Sequence, residues 1–121
     1  MLRSSRLRLR RILPSDQPHW ERWLADPAVN RVLSSGSSMP RSPITLPEAL
    51  AYWSADATDH VGFTMLTPDD EPIGAVQLAD IEPWARHAEL GIFIGEPANR
   101  SKGLGTEAMR LLLDFAFRQL N

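Results

Sequence analysis

The sequence predicts an α/β (α+β) fold, with a mostly antiparallel sheet of four strands and flanking helices. Three observations carry this. Short β-rich runs sit between turn residues, at 6–12, 61–67, 73–81 and 87–95. Two helical patterns follow the first run and a longer one follows the last. The length of 121 residues, 43% of them hydrophobic, allows one domain with a packed core over residues 1–121.

The elements follow in order. Arg6 to Ile12 reads as a strand with Arg6, Arg8 and Arg10 on one face and Leu7 and Leu9 on the other. A solvated strand face is the simpler reading of these arginines, and a basic patch for ribosomal RNA the sharper one. Ser15 or Asp16 can cap a helix to about Ala25, with Trp20, Trp23 and Leu24 inward, and Asp26-Pro27 ends or restarts it. Ser34 to Pro43, rich in serine and proline, reads as a loop. Thr45-x-x-Glu48 forms a capping box for a helix to about Asp56 with Leu46, Leu50 and Trp53 inward. Val61 to Thr67 and Ile73 to Ile81 make a hairpin around Pro68-Asp69-Asp70-Glu71. After a loop at Glu82 to Arg86, His87 to Gly95 is the fourth strand. Leu104 to Leu120 is the last helix, with an apolar stripe at Leu104, Ala108, Leu111, Leu112 and Phe115. Its charged face, Glu107, Arg110, Asp114 and Arg118, is expected to meet solvent.

The turn from fourth strand to last helix, Asn99 to Ala108, is the most informative stretch. A glycine-punctuated entry to a helix leaves the first N–H groups without intrahelical partners, at the positive end of the helix dipole. That suits a phosphate or pyrophosphate. Gly103 and Gly105 allow close approach, and Arg100 and Lys102 add charge. A tight turn for close helix–strand packing is the plainer reading of the same glycines. No Lys-Ser/Thr pair follows a second glycine and no third glycine is present, so neither the P-loop nor the dinucleotide fingerprint fits.

Arg100-Ser101-Lys102-Gly103-Leu104-Gly105 resembles the Arg/Gln-x-x-Gly-x-Gly/Ala signature of the GNAT acetyltransferases. Leu7-Arg8-Leu9-Arg10, Trp23 to Pro27, Pro72-Ile73-Gly74, Ala88 to Ile92 and Gly103 to Ala108 are similar, in order, to successive segments of its ribosomal-protein-alanine acetyltransferase (RimJ/RimL-like) branch. The resemblance implies the acyl-CoA N-acyltransferase fold and acetyl-coenzyme A as co-substrate. It places the cofactor on Phe93, Ile94, Arg100, Ser101, Lys102, Gly103, Leu104, Gly105 and Thr106, with loop amides on the pyrophosphate. A strand N–H around Phe93 to Gly95 would polarise the thioester carbonyl.

The family continues, after this helix, with a strand, a helix and two closing strands, which the sequence lacks. The chain therefore reads as the N-terminal part of the family's domain, C-terminally truncated. The family's general-acid tyrosine has no counterpart, since Tyr52 stands on the second predicted helix. The fourth strand is then an open edge, expected to pair with a partner or a second copy as a homo-oligomer.

For the base, the resemblance points to Glu89, where several family members carry an acidic residue. Apolar walls would raise its pKa toward the working range. An ion pair with Arg86, or a place on the sheet edge, is the alternative. His87 is a weaker candidate on the same face, more simply a surface histidine. Trp84 could stack on an acceptor or lie exposed.

Composition excludes several classes. Without cysteine there is no disulfide framework, thiolate metal site or cysteine nucleophile. That is compatible with the cytoplasmic location expected here. His19 and His60 are isolated, and no metal-ligand spacing occurs. A net charge of −2 gives no general attraction to nucleic acid, and no apolar run approaches a membrane span. Three readings remain. The first is an N-acetyltransferase acting on a protein N-terminal or small-molecule amine. The second is a non-catalytic truncated form that binds coenzyme A weakly or assembles with a partner chain. The third is a small binding module without coenzyme A.

Overall fold

The computed structural model describes residues 2–34, 45–55, 58–82 and 84–120. Five strands form one antiparallel sheet in sequence order: β1 (Leu2–Arg3), β2 (Arg8–Arg11), β3 (Val61–Leu66), β4 (Pro72–Glu82) and β5 (His87–Ile94). One more strand is present than the sequence suggested. β1 pairs with β2 through Leu2↔Leu9 and Arg3↔Arg8, so the basic strand opens with a hairpin. β1 is only two residues long, too short to carry an alternation pattern.

Helices cover both faces. α1 (Gln17–Leu24), α2 (Pro27–Ser34) and α3 (Leu46–Trp53) lie on one side and α4 (Leu104–Phe115) on the other. The α1–α3 side is an aromatic core. Phe93 meets Trp20, Trp23 and Trp53 edge-on, with ring centroids 5.2–5.8 Å apart. On the α4 side, Leu104, Ala108 and Leu112 pack on Leu7, Leu9, Met65 and Val76. Leu111 and Phe115 complete the expected stripe. Beyond Phe115 the chain winds into a wider π-type turn, Ala116–Leu120.

Asp16 does not cap α1. It makes no cap hydrogen bond and lies buried at the end of a 3₁₀ turn, Pro14–Asp16. Arg10 donates to both carboxylate oxygens, at 2.9 and 2.8 Å. The N–H of Leu13 (2.9 Å) and the hydroxyl of Thr64 (2.8 Å) complete the shell. Tertiary pairing outcompetes the local cap. At α3 the expected cap forms, with Thr45 and Glu48 bonded reciprocally, but the helix stops at Trp53. Pro27 restarts the chain as α2. The loop read at Ser34 to Pro43 falls, past Ser34, outside the described residues.

Arg8 pairs with Asp70 and Arg10 with Asp16, so this basic face is neutralised within the fold. Arg6 lies in the turn before β2 rather than in the strand.

Candidate cofactor loop and acceptor cleft

β5 ends at Ile94, and a 3₁₀ turn (Pro97–Asn99) leads through residues 100–103 into α4. Gly95 leaves the sheet directly under Trp23: a Cβ there would fall 2.3 Å from the indole ring, so only glycine fits. Glu96 accepts from Trp23 Nε1 (2.9 Å) and from Arg22, tying the loop entrance to α1. Burial pushes the Glu96 carboxyl up, but its bonds to Arg22 and Trp23 hold it below the usual carboxylate range.

The loop is wound through two left-handed residues, Ser101 (φ 62°) and Gly103 (φ 76°). For serine that conformation costs about 1–2 kcal/mol, strain of the kind found at ligand sites. Residues 100–101 form a tight turn closed by the Lys102 N–H; among the described residues, the N–H groups of residues 103–106 donate no hydrogen bond, and the first helical bond is Glu107 N–H to Gly103 O, at 3.1 Å. Successive unpaired donors at a helix N-terminus, Gly103 to Thr106, are an arrangement that can receive an anion. Lys102 is exposed beside it.

Arg100 does not join this arrangement. Its Nε donates to Ile94 O (3.0 Å) and its Nη2 to Asp26 Oδ2 (3.0 Å), binding the loop to the strand end and to the α1–α2 junction. A further cation at the loop is Arg6, whose Nη1 donates to Lys102 O at 2.7 Å. Nothing in the strand pattern signalled this.

Among the described residues β5 pairs on one side only, with β4. Gly95 N–H bonds Ile73 O at 2.7 Å across the Ile94↔Gly74 pair. The alternation of an antiparallel ladder then turns the N–H of Phe93 toward β4 and those of Ile92 and Ile94 to the open edge. So of the strand N–H groups expected to polarise a carbonyl, Ile94 remains free and Gly95 does not. Ile92, also outward, was not anticipated. The side chain of Phe93 is core, and Ile94 packs against the α4-side core.

A cleft of about 720 Å³ lies where α2 and α3 approach β4 and β5. Among the described residues, Glu48, Tyr52, Gln77 and Glu89 are its polar lining, and no lysine or arginine lines it. Glu89 is exposed there, not enclosed by apolar walls as expected, and no ion pair joins it to Arg86 among the described residues. Tyr52 is half exposed. Burial first, then the charges of Asp80, Glu89 and Asp59, raise its pKa above the ordinary phenol value. His60 lies behind Tyr52, with Nε2 2.6 Å from Gln77 Oε1 and Nδ1 2.9 Å from Ala55 O.

His87 is not beside Glu89. It lines a second cleft, of about 300 Å³, with Leu113 and Phe117, beside an irregularity in β4 between Ala79 and Glu82. Trp84 is fully exposed at the β4–β5 turn and lines neither cleft. Among the described residues, no group of three or more histidine, aspartate or glutamate side chains could hold a metal ion. No helix there is long and apolar enough to cross a membrane.

The profile of the acetyltransferase (GNAT) domain matches residues 6–121. The chain belongs to the GNAT acetyltransferase family. No curated protein sequence gives a significant match. Among solved structures, this GNAT chain is similar to spermidine N-acetyltransferase from Vibrio cholerae in complex with CoA and spermine. Identity is 23% and the TM-score 0.73, over 98% of this chain and 68% of that one. A probable acetyltransferase gives 22% and 0.70, over 97% and 66%. A dodecameric form of the Vibrio cholerae enzyme gives 22% and 0.64, over 98% and 66%. The chain thus spans about two thirds of the length of these relatives. At this identity the likeness establishes the fold, and the five-stranded sheet with helices on both faces is that of a GNAT N-acetyltransferase domain.

Proposed function

We propose that the chain carries out, or contributes the cofactor half of, acetyl transfer from acetyl-coenzyme A to a primary amine. The observation that carries this is the run of unpaired N–H groups at residues 103–106, at the start of α4. In this reading Ser101, Lys102, Gly103, Leu104, Gly105 and Thr106 hold the pyrophosphate, chiefly through backbone amides. Arg100 keeps the loop in shape through Ile94 O and Asp26. The acyl arm runs along β5, where an outward N–H polarises the thioester carbonyl. Ile94 stands nearest the loop and Ile92 nearest Glu89. A fixed dipole aimed at the developing oxyanion needs no reorganisation during reaction.

The acceptor enters the cleft between α3 and β5. Glu89 is the general base: it takes the proton of the ammonium, directly or through water, and the free amine attacks the carbonyl. The thiolate of coenzyme A leaves and takes up the proton that the attacking nitrogen sheds as the amide forms. Among the described residues the lining holds two carboxylates and no cationic side chain, which supports a small amine with further positive charge over a neutral one. The spermine complex of the Vibrio cholerae relative agrees with that chemistry. The order of segments supports the ribosomal-protein-alanine acetyltransferase branch, in which the acceptor is a protein N-terminal amine. Thiol release measured with spermidine and with an alanine-terminated peptide decides between the two acceptors.

One observation favours a second reading. The edge of β5 that would flank the acyl arm has no neighbouring strand among the described residues. A second copy or partner strand pairing there would complete the groove. Sedimentation at high concentration tests this: association supports it and a stable monomer opposes it.

A further inference from the structure

We infer that Arg6, in the turn between β1 and β2, is a positioning residue of the cofactor loop; this rests on the reading of residues 101–106 as a pyrophosphate cradle. The turn itself is rigid: Ser4 N–H donates to Leu7 O (2.9 Å), and Leu7 N–H to Ser4 Oγ (3.2 Å). Its tip sits on the first turn of α4. Glu107 accepts three bonds from it: from Ser4 Oγ, from Arg6 N–H at 3.1 Å and from Arg6 Nε at 3.0 Å. The same guanidinium reaches past Glu107 to Lys102 O.

Arg6 thus spans the loop's last corner, with one bond on each side of left-handed Gly103. A carbonyl facing the ligand would repel a phosphate. Fixing the Lys102 carbonyl on Arg6 commits that peptide unit to one orientation before any ligand arrives. Preorganised donors bind better because less freedom is lost on binding. The remaining nitrogen, Nη2, lies 3.5 Å from where a Cβ on Gly103 would stand, so the guanidinium also borders the turn. Arg6 carries its own pairing to Glu107, so it acts by geometry more than by net charge. Lysine could make one of these bonds but not the fork.

The test compares the full chain with Arg6→Ala, Arg6→Lys and Glu107→Gln, with Arg8→Ala as a control whose partner is Asp70 and not a loop residue. Backbone ¹⁵N order parameters of residues 101–106 are measured without ligand. Coenzyme A affinity is then measured by calorimetry. Arg6→Ala is expected to drop the loop order parameters toward ~0.6 or below and weaken coenzyme A about tenfold. Arg6→Lys should fall between wild type and Arg6→Ala, and Arg8→Ala should match wild type. Turnover at saturating acetyl-coenzyme A should be unchanged, which a general loss of fold would not give. Unaltered loop order and affinity in Arg6→Ala, with wild type binding coenzyme A, overturns the inference and leaves the cradle standing. A wild-type chain that ignores coenzyme A, while Arg6→Ala still loosens the loop, overturns the cradle and upholds the positioning.

Discussion

The guanidinium of Arg100 and the carboxylate of Asp26 face each other 3.0 Å apart, joining the start of the cofactor loop to the junction of α1 and α2. Each is about one-third exposed. The Arg100 bond and the Ala28 N–H hold the Asp26 carboxyl below its ordinary pKa, against a smaller effect of burial. Arg100 serves the loop as a strut, although its place in the signature suggests a phosphate ligand.

If so, Arg100→Ala and Asp26→Asn should weaken coenzyme A binding to similar extents, and the double variant should be no worse than either alone. Calorimetry on the four proteins measures this. A loss confined to Arg100→Ala would make Arg100 a direct phosphate contact.

The two loop glycines should matter more than the loop lysine. A Cβ at Gly105 meets only Ile92 Cδ1, at 3.7 Å, so Gly105→Val is expected to fold normally yet obstruct the ligand. Gly103→Ala adds left-handed strain of about 1 kcal/mol to the same obstruction. Lys102→Ala removes one exposed cation, worth roughly 0.3–1 kcal/mol. Titration of coenzyme A ranks them, and loss of binding only in Lys102→Ala would contradict an amide cradle.

Glu89→Gln keeps the shape of the side chain and removes the proton acceptor. Turnover should fall about 10²–10⁴-fold, with coenzyme A affinity unchanged. A full pH–rate profile matching wild type would remove Glu89 from the proton transfer.

Buried Asp16 sets an acid limit on stability. Burial pushes its pKa up, but Arg10, the Leu13 N–H and Thr64 more than offset this, so the folded value lies below the ordinary one. A depressed carboxylate stabilises fully above its unfolded pKa of about 3.9 and loses that contribution as pH falls through the folded value. Asp16→Asn should therefore cost stability at pH 7 and flatten the fall seen in wild type below about pH 4. Urea unfolding across pH 2–7 reads both; equal pH slopes would exclude Asp16.

The parts legible in the sequence were those governed by local rules. Thr45 and Glu48 cap α3 because both partners lie within one turn. Leu104, Ala108 and Leu112 face the core because their spacing matches the helix. Gly103, read as part of a glycine-punctuated turn, stands at the left-handed entrance to α4. The parts that were not legible depend on residues far apart in the chain. Asp16 looked like a cap and became the partner of Arg10 and Thr64. Arg6 looked like a strand residue and reached Lys102 and Glu107, about a hundred positions away. His87 lines the other cleft, beside a β4 irregularity that leaves no mark in the alternation. Which N–H of β5 stays free depends on pairing with Ile73, which no single-strand pattern encodes.

The most direct test of the central claim is titration of coenzyme A into the ¹⁵N-labelled chain, followed amide by amide. The account predicts saturable binding with the largest shifts at residues 101–106 and smaller ones at Ile92 and Ile94. Absence of binding, or shifts centred on the second cleft at Leu113 and Phe117, would contradict it.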